Sequence, residues 1–166
     1  MFANHNTVQW KPHLKKVLKL DVRLGLRLQS GTVAIYWPEF AQAGKSEITE
    51  RHLLAHQAGL PGFHAPVDKT LFYDWAADCK ALSEEVPWWP PGERHGYHAR
   101  TFGFLLGEVL RRATGKTLGE WLEKHLAEPL QLDVHIGMDD ADLGRCADMI
   151  PARIKPGQQK QRSTSV

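Results

Sequence analysis

The run from Thr101 to Ala113 is the strongest constraint on what this chain can fold into. Phe102, Leu105, Leu106, Val109, Leu110 and Ala113 recur at spacings of three and four, laying one apolar stripe along a helix and ruling out a strand. Glu108, Arg111 and Arg112 fall off that stripe, and Gly115 supplies a C-terminal stop. Thr117-Leu118-Gly119-Glu120 then matches a capping box, in which the Thr hydroxyl and the Glu carboxylate each satisfy a free backbone N–H. The helix it starts is expected to bury Leu118, Trp121, Leu122 and Leu126 and to halt before Pro129. Period-two alternation is scarce, with LDVHIGM among the few stretches that show it, so residues 48–128 read as helices and structured loops.

Upstream, Thr49 is placed to cap a short helix, with Ile48 stapling to Leu53, and that helix is expected to stop near Gly59. AGLPGFHAP follows as an irregular loop. From about Lys69 a second helix sets Leu71, Trp75, Cys79 and Leu82 on one side. VPWWPPGERHG ends it: three prolines and two glycines forbid regular structure, yet Trp88 and Trp89 are too apolar for a free loop and need cover.

The whole chain is 166 residues long, suited to about one domain. Its 21 Lys+Arg against 19 Asp+Glu exclude a strongly basic nucleic-acid binder, so no nucleic acid is expected as a partner. No apolar run approaches the roughly 20 residues of a membrane helix, and the start MFANHNTVQWKPH has no apolar h-region. With two widely spaced cysteines, the expectation is a cytoplasmic chain with no membrane span and no export signal. Charge divides it further. Residues 1–32 hold six basic residues against Asp21, residues 150–166 hold four and no acid, and the middle carries 11 basic against 18 acidic residues. We therefore read a basic N-terminal segment, 1–32, in which Leu14, Val17, Leu18, Leu24 and Leu28 suit a basic amphipathic helix; a partial domain, 33–151; and a disordered basic tail, 152–166.

Three groupings bear on chemistry. Gly115-Lys116-Thr117 resembles the end of a phosphate loop, but Leu110 stands where that loop needs Gly. His52 and His56 are one helical turn apart, the spacing of two metal ligands, but the intervening residues lack the Glu of HExxH; packing or N–H donation to a loop is the competing reading, and no metal is assigned. His95, Tyr97 and His98 follow the Pro/Gly-rich loop at the mouth of a helix. They suit either an acid/base cluster or a loop pinned by its own hydrogen bonds.

The run ITERHLLAHQAGLPGF, residues 48–63, and the run PPGERHGYHARTFGFLLGEVLRRATGKTLGEWLEKHLAEPLQLDVHIGM, residues 90–138, resemble two blocks of the serine β-lactamase-related family, in the same order and spacing. The likeness is to the class C β-lactamase, DD-peptidase and family VIII carboxylesterase branch, and HGYHA favours its esterase-like members. The resemblance implies acyl transfer by a Ser of S-x-x-K, helped by its Lys and by a Tyr, with a K-T-G motif near the oxyanion hole. It also implies a helical region packed on an antiparallel sheet. Here the expected fold is mainly α: the helical subdomain of that α+β fold, with most of the sheet missing.

Tyr97 falls at the position of the family's catalytic tyrosine, and His98 and Trp89 are assigned to substrate binding beside it. A phenol of pKa about 10 is a poor base unless a cation stabilises its phenolate. Ala99 stands where the lactamases have Asn, which favours ester over lactam hydrolysis. None of Ser30, Ser46, Ser83, Ser163 and Ser165 is followed three residues later by Lys, and no K-T-G occurs. The expectation is a truncated serine hydrolase acting, in its family, on a small ester or amide, without a cofactor, and inactive alone. The alternative is a noncatalytic interaction module built on the same helices. Apolar surface left open by the missing sheet predicts self-association.

Overall fold

A computed structural model describes residues 31–150. The expectations of an amphipathic helix over residues 14–28 and of a disordered tail over 152–166 lie outside the described residues. The chain divides into two units, Met1–Ile136 and Gly137–Val166.

The first unit begins with two 3-10 turns, Val33–Ile35 and Pro38–Ala41, and continues through α1 (Glu50–Leu54), a 3-10 turn (Lys69–Tyr73), α2 (Trp75–Glu84) and α3 (Thr101–Thr114). It ends in α4 (Leu118–Leu122), a π-helical turn (Glu123–Ala127) and α5 (Glu128–Leu130). No strand occurs among the described residues, where an isolated antiparallel bridge joins Thr32 to Thr49. In the second unit, α6 (Asp140–Leu143) is capped by Asp139, whose Oδ1 accepts the Asp142 N–H at 3.1 Å.

Local chemistry accounts for the helix starts. Thr49 Oγ1 accepts the His52 N–H, and His52 Nδ1 accepts the Thr49 N–H, each at 3.3 Å, so a histidine fills the usual Glu/Gln place in a capping box. Thr117 and Glu120 form the expected box, with the Thr117 N–H donating to Glu120 Oε2 at 2.8 Å. α3 stops at Gly115 in the left-handed region, φ 71°.

Four expectations are corrected. α1 ends at Leu54, not near Gly59, because His56 takes φ +56° and turns the chain away from the helix axis. The helix expected from Lys69 is split, since Asp74 is extended (φ −115°, ψ 100°) and restarts α2 as its N-cap, accepting the Ala77 N–H at 2.9 Å. Pro129 does not stop the last helix. The π-helical turn resets the register, and Pro129 lies in the first turn of α5, where its missing N–H is not needed. Of that run only Ala127 is buried, and Leu118 is 38% exposed.

The core gathers Val33, Trp37, Phe40, Ile48, Leu53, Ala58, Leu60, Cys79, Leu82, Leu105 and Val109, with α1 and α2 both packed on α3. Lys45 is buried with them. Its ammonium donates to the Glu85 carbonyl and lies 5.3 Å from the Phe40 ring centre, and burial pushes its pKa down to about 8 against the pull of Glu85. The stripe on α3 is half covered: Leu105 and Val109 are buried, while Phe102, Leu106, Leu110 and Ala113 line an apolar groove of about 250 Å³ with Leu54 and Leu118.

Glu108, expected off the buried stripe, is only 2% exposed. It accepts from Trp75 Nε1 and from Arg111 Nε and Nη2 at 2.8 Å, and from Arg112 Nε at 2.7 Å. Gly107 lets that indole lie on α3, since a Cβ there would come within 2.5 Å of Trp75 Cη2.

Candidate functional site

Two loops, residues 56–60 and 88–101, close on one another across up to 42 positions of sequence. They hold parts of the two blocks quoted above, HQAGL and PPGERHGYHART, the second preceded by Trp88 and Trp89. Their backbones are stitched together by Trp88 N–H to Gly59 O at 2.7 Å, Gly92 N–H to Gln57 O at 3.0 Å and Gly96 N–H to His56 O at 3.1 Å. The approach requires glycine: a Cβ on Gly59, at φ +76°, would stand 2.5 Å from the Trp89 carbonyl oxygen.

His98 is the bolt of this clasp. It is 1% exposed, with ring Nδ1 2.6 Å from the Gly96 carbonyl oxygen and ring Nε2 3.1 Å from the Leu60 N. A carbonyl accepts and an amide donates, so Nδ1 carries the proton and Nε2 accepts: the ring is neutral, in one tautomer. Burial holds its pKa below the ordinary 6.5; the Gly96 carbonyl opposes this and neighbouring His56 adds to it. Beside it, the Thr101 hydroxyl donates to the Leu60 carbonyl at 2.5 Å, tying the start of α3 to the same turn.

Of the predicted cluster, the structure places His98 inward and Tyr97 outward, and His95 is exposed. Tyr97 is 75% exposed, and its ring meets the His56 imidazole edge-on, 5.2 Å between centres at 61°. Trp89 is half-buried, edge-on to His98 at 6.4 Å, and lies so close over Gly96 that a Cβ there would stand 2.6 Å from Trp89 Cη2. Its indole Nε1 is buried and has no hydrogen-bond partner among the described residues.

His52 and His56 do not form a helical pair, because His56 lies past the end of α1. Each spends Nδ1 as an acceptor, from the Thr49 N–H and the His98 N–H respectively. Among the described residues no group of three His, Cys, Asp or Glu side chains is placed to hold a metal ion. The buried Cys79 is no nucleophile: burial, with Glu108 and Asp78 adding, pushes its thiol up to about 12. A cleft of about 610 Å³ lined by residues including Trp37, Trp75 and Arg111 is not lined by Tyr97, His98 or Trp89.

For His56 the reading of a ring packed on a loop holds, but the ring accepts the His98 N–H instead of donating, and its partners were not named in advance. The only signal of its place in the clasp is the likeness of ITERHLLAHQAGLPGF to a family block, since neither a left-handed backbone nor a partner 42 residues away shows in a local pattern.

The β-lactamase family model matches residues 16–163, past both ends of the 33–151 segment read from the motifs. The esterase/β-lactamase LipL of Mycobacterium tuberculosis is 37% identical over 122 residues, which cover 71% of this chain and 27% of LipL. A penicillin-binding protein homologue from Caulobacter crescentus superposes with a TM-score of 0.72 at 42% identity, over 83% of this chain and 36% of the homologue. A family VIII carboxylesterase superposes with a TM-score of 0.73 at 39% identity, over 86% of this chain and 39% of the enzyme. The chain thus spans about a quarter to two-fifths of the relatives it matches. Its helices correspond to the helical part of their fold. Nothing in these matches supports a noncatalytic interaction module.

Proposed function

The chain belongs to the serine β-lactamase-related family, and we propose that it is the helical part of an esterase-like acyl hydrolase, contributing Tyr97 to a reaction centre whose nucleophile it does not carry. The observation behind this reading is the presentation of Tyr97. A phenol 75% exposed stands on a loop whose next residue, His98, is locked through both ring nitrogens and its own N–H. Such a phenol is held in place without being covered, as a group that exchanges a proton with a substrate must be.

In this reading His98, expected from the sequence to bind substrate, is too buried to touch it and instead fixes the loop that carries Tyr97, while Trp89 forms an apolar wall over Gly96. The substrate is a small ester or amide. Ala99, two residues after Tyr97, offers no polar contact and favours the ester. The chain as it stands does not hydrolyse, because no serine in it has a lysine three residues on and a tyrosine cannot replace the attacking group. Unpaired Cys79 and Cys146 suit a reducing cytoplasm.

A short-chain p-nitrophenyl ester and a fluorophosphonate label test the reading. Neither turnover nor labelling is expected; saturable turnover abolished by mutating Ser46 or Ser83 would overturn it. The open groove along α3 makes the isolated chain self-associating and dye-binding. A sharp thermal transition from a dye-silent monomer in size-exclusion chromatography would remove that part.

A further inference from the structure

His56 meets four demands at once. Its backbone is left-handed, φ +56°, a conformation that disfavours most side chains and in which Gly, Asn, Asp and His are enriched. Its carbonyl accepts the Gly96 N–H at 3.1 Å. Its ring Nδ1 accepts the His98 N–H at 3.2 Å, leaving the ring proton on Nε2 if the imidazole is neutral. Its ring lies 4.6 Å from Phe102, tilted by 31°, and 5.2 Å from Tyr97, edge-on, centre to centre. Glycine would satisfy only the backbone demands, and asparagine those and the acceptor. Phenylalanine would keep the ring and lose the acceptor. Histidine alone combines a side chain suited to this backbone, an acceptor one ring atom from Cβ, and an aromatic surface.

The two bonds to Gly96 and His98 bracket Tyr97 on both sides in sequence, so His56 grips the backbone before and after the phenol while its ring touches the phenol itself. We infer that His56 is a positioning residue for Tyr97, setting the direction in which the hydroxyl leaves the loop. The inference rests on Tyr97 being the reactive phenol. Its test reads only where the ring is held, so it can fail while the ester and label result stands, and the reverse.

The experiment is solution NMR of the full chain, following the χ1 couplings and ring shifts of Tyr97 with the exchange protection of the Leu60 amide. Wild type should show one Tyr97 rotamer with ring shifts displaced by the neighbouring imidazole. His56→Asn keeps the backbone and an acceptor and removes the ring; it should average the rotamers and return the Tyr97 shifts to random-coil values, with Leu60 protection unchanged within about twofold. His56→Phe, which keeps the ring, should retain a single rotamer. Averaged Tyr97 couplings in wild type, or a single unshifted rotamer surviving in a folded His56→Asn chain, would overturn the assignment. If His56→Asn does not fold, a His56→Phe chain that folds with averaged Tyr97 couplings does the same.

Discussion

Glu108 on α3 and Asp78 on α2 are buried almost equally, 2% and 0% exposed, yet their carboxyls are driven in opposite directions. Burial raises both. At Glu108 the donors of Arg111, Arg112 and Trp75 outweigh it and bring the pKa down to about 2, whereas Asp78 finds no hydrogen-bond partner for either oxygen among the described residues and rises to about 6. Local sequence explains the contrast. Glu108 has arginines three and four positions on, the helical spacing that lets them reach back, while Asp78 has Ala81 and Leu82 there. Burial sets the cost of a charge; the neighbours one turn away decide whether it is met.

Removing the partnered acid should do the most harm. Glu108→Ala leaves two guanidinium groups and an indole N–H without their acceptor, and a loss of about 3 kcal/mol is expected in urea unfolding at pH 7. A loss below about 1 kcal/mol would break the contrast. In wild type this stabilisation is complete above the ordinary 4.5 and is lost as pH falls from there toward 2, because the folded pKa is depressed.

Asp78→Asn should act with the opposite sign, gaining about 2 kcal/mol at pH 7 by removing an unmet buried charge. With the folded pKa raised, the aspartate's penalty is absent below 3.8 and grows as pH rises through about 6. Melts of variant and wild type should therefore converge near the lower value and separate above the upper; a constant difference across that window would show that Asp78 stays ionised throughout.

His98 extends the contrast to a base that is buried neutral and fully partnered. Its depressed pKa makes its contribution complete above 6.5 and lost as pH falls below that, since protonating Nε2 breaks the bond from Leu60. Exchange of the Leu60 amide, corrected for intrinsic rate, should speed up several-fold between pH 7 and 5, equivalent to about 1 kcal/mol, before the helices unfold. Simultaneous loss of all protection would remove this local effect. A change no larger belongs to an exposed site: Thr117→Ala should cost about 1 kcal/mol of thermal stability, with no pH dependence beyond that of Glu120, whose carboxyl the Thr117 N–H holds below its ordinary range.

What could be read from the chain in advance was what neighbouring residues decide. The stripe of α3, its stop at Gly115 and the box at Thr117 each depend on groups within four positions, and the helices begin and end there. The burial of Glu108 depends on Trp75 arriving from α2, 33 positions away, and the end of α1 depends on a backbone reversal at His56 that no period reveals. Tyr97 is singled out only by likeness to a family block. The hydrogen bonds that hold it join partners about 40 positions apart, and such pairing has no local signature.

The clasp also gives the chain between its halves an unusual freedom. Because the Trp88 N–H donates to the Gly59 carbonyl at 2.7 Å, residues 60–87 form an excursion whose two ends meet. The entropy of closing such a ring rises only with the logarithm of its length, so doubling it costs about 0.6 kcal/mol. Cys79 and Leu82 of α2 must stay in the core, and His64 is bonded to Glu85 and stacked on Trp88, whereas the next two residues, Ala65 and Pro66, are exposed. Lengthening the chain at that point is therefore expected to change its outer contour while the phenol keeps its place.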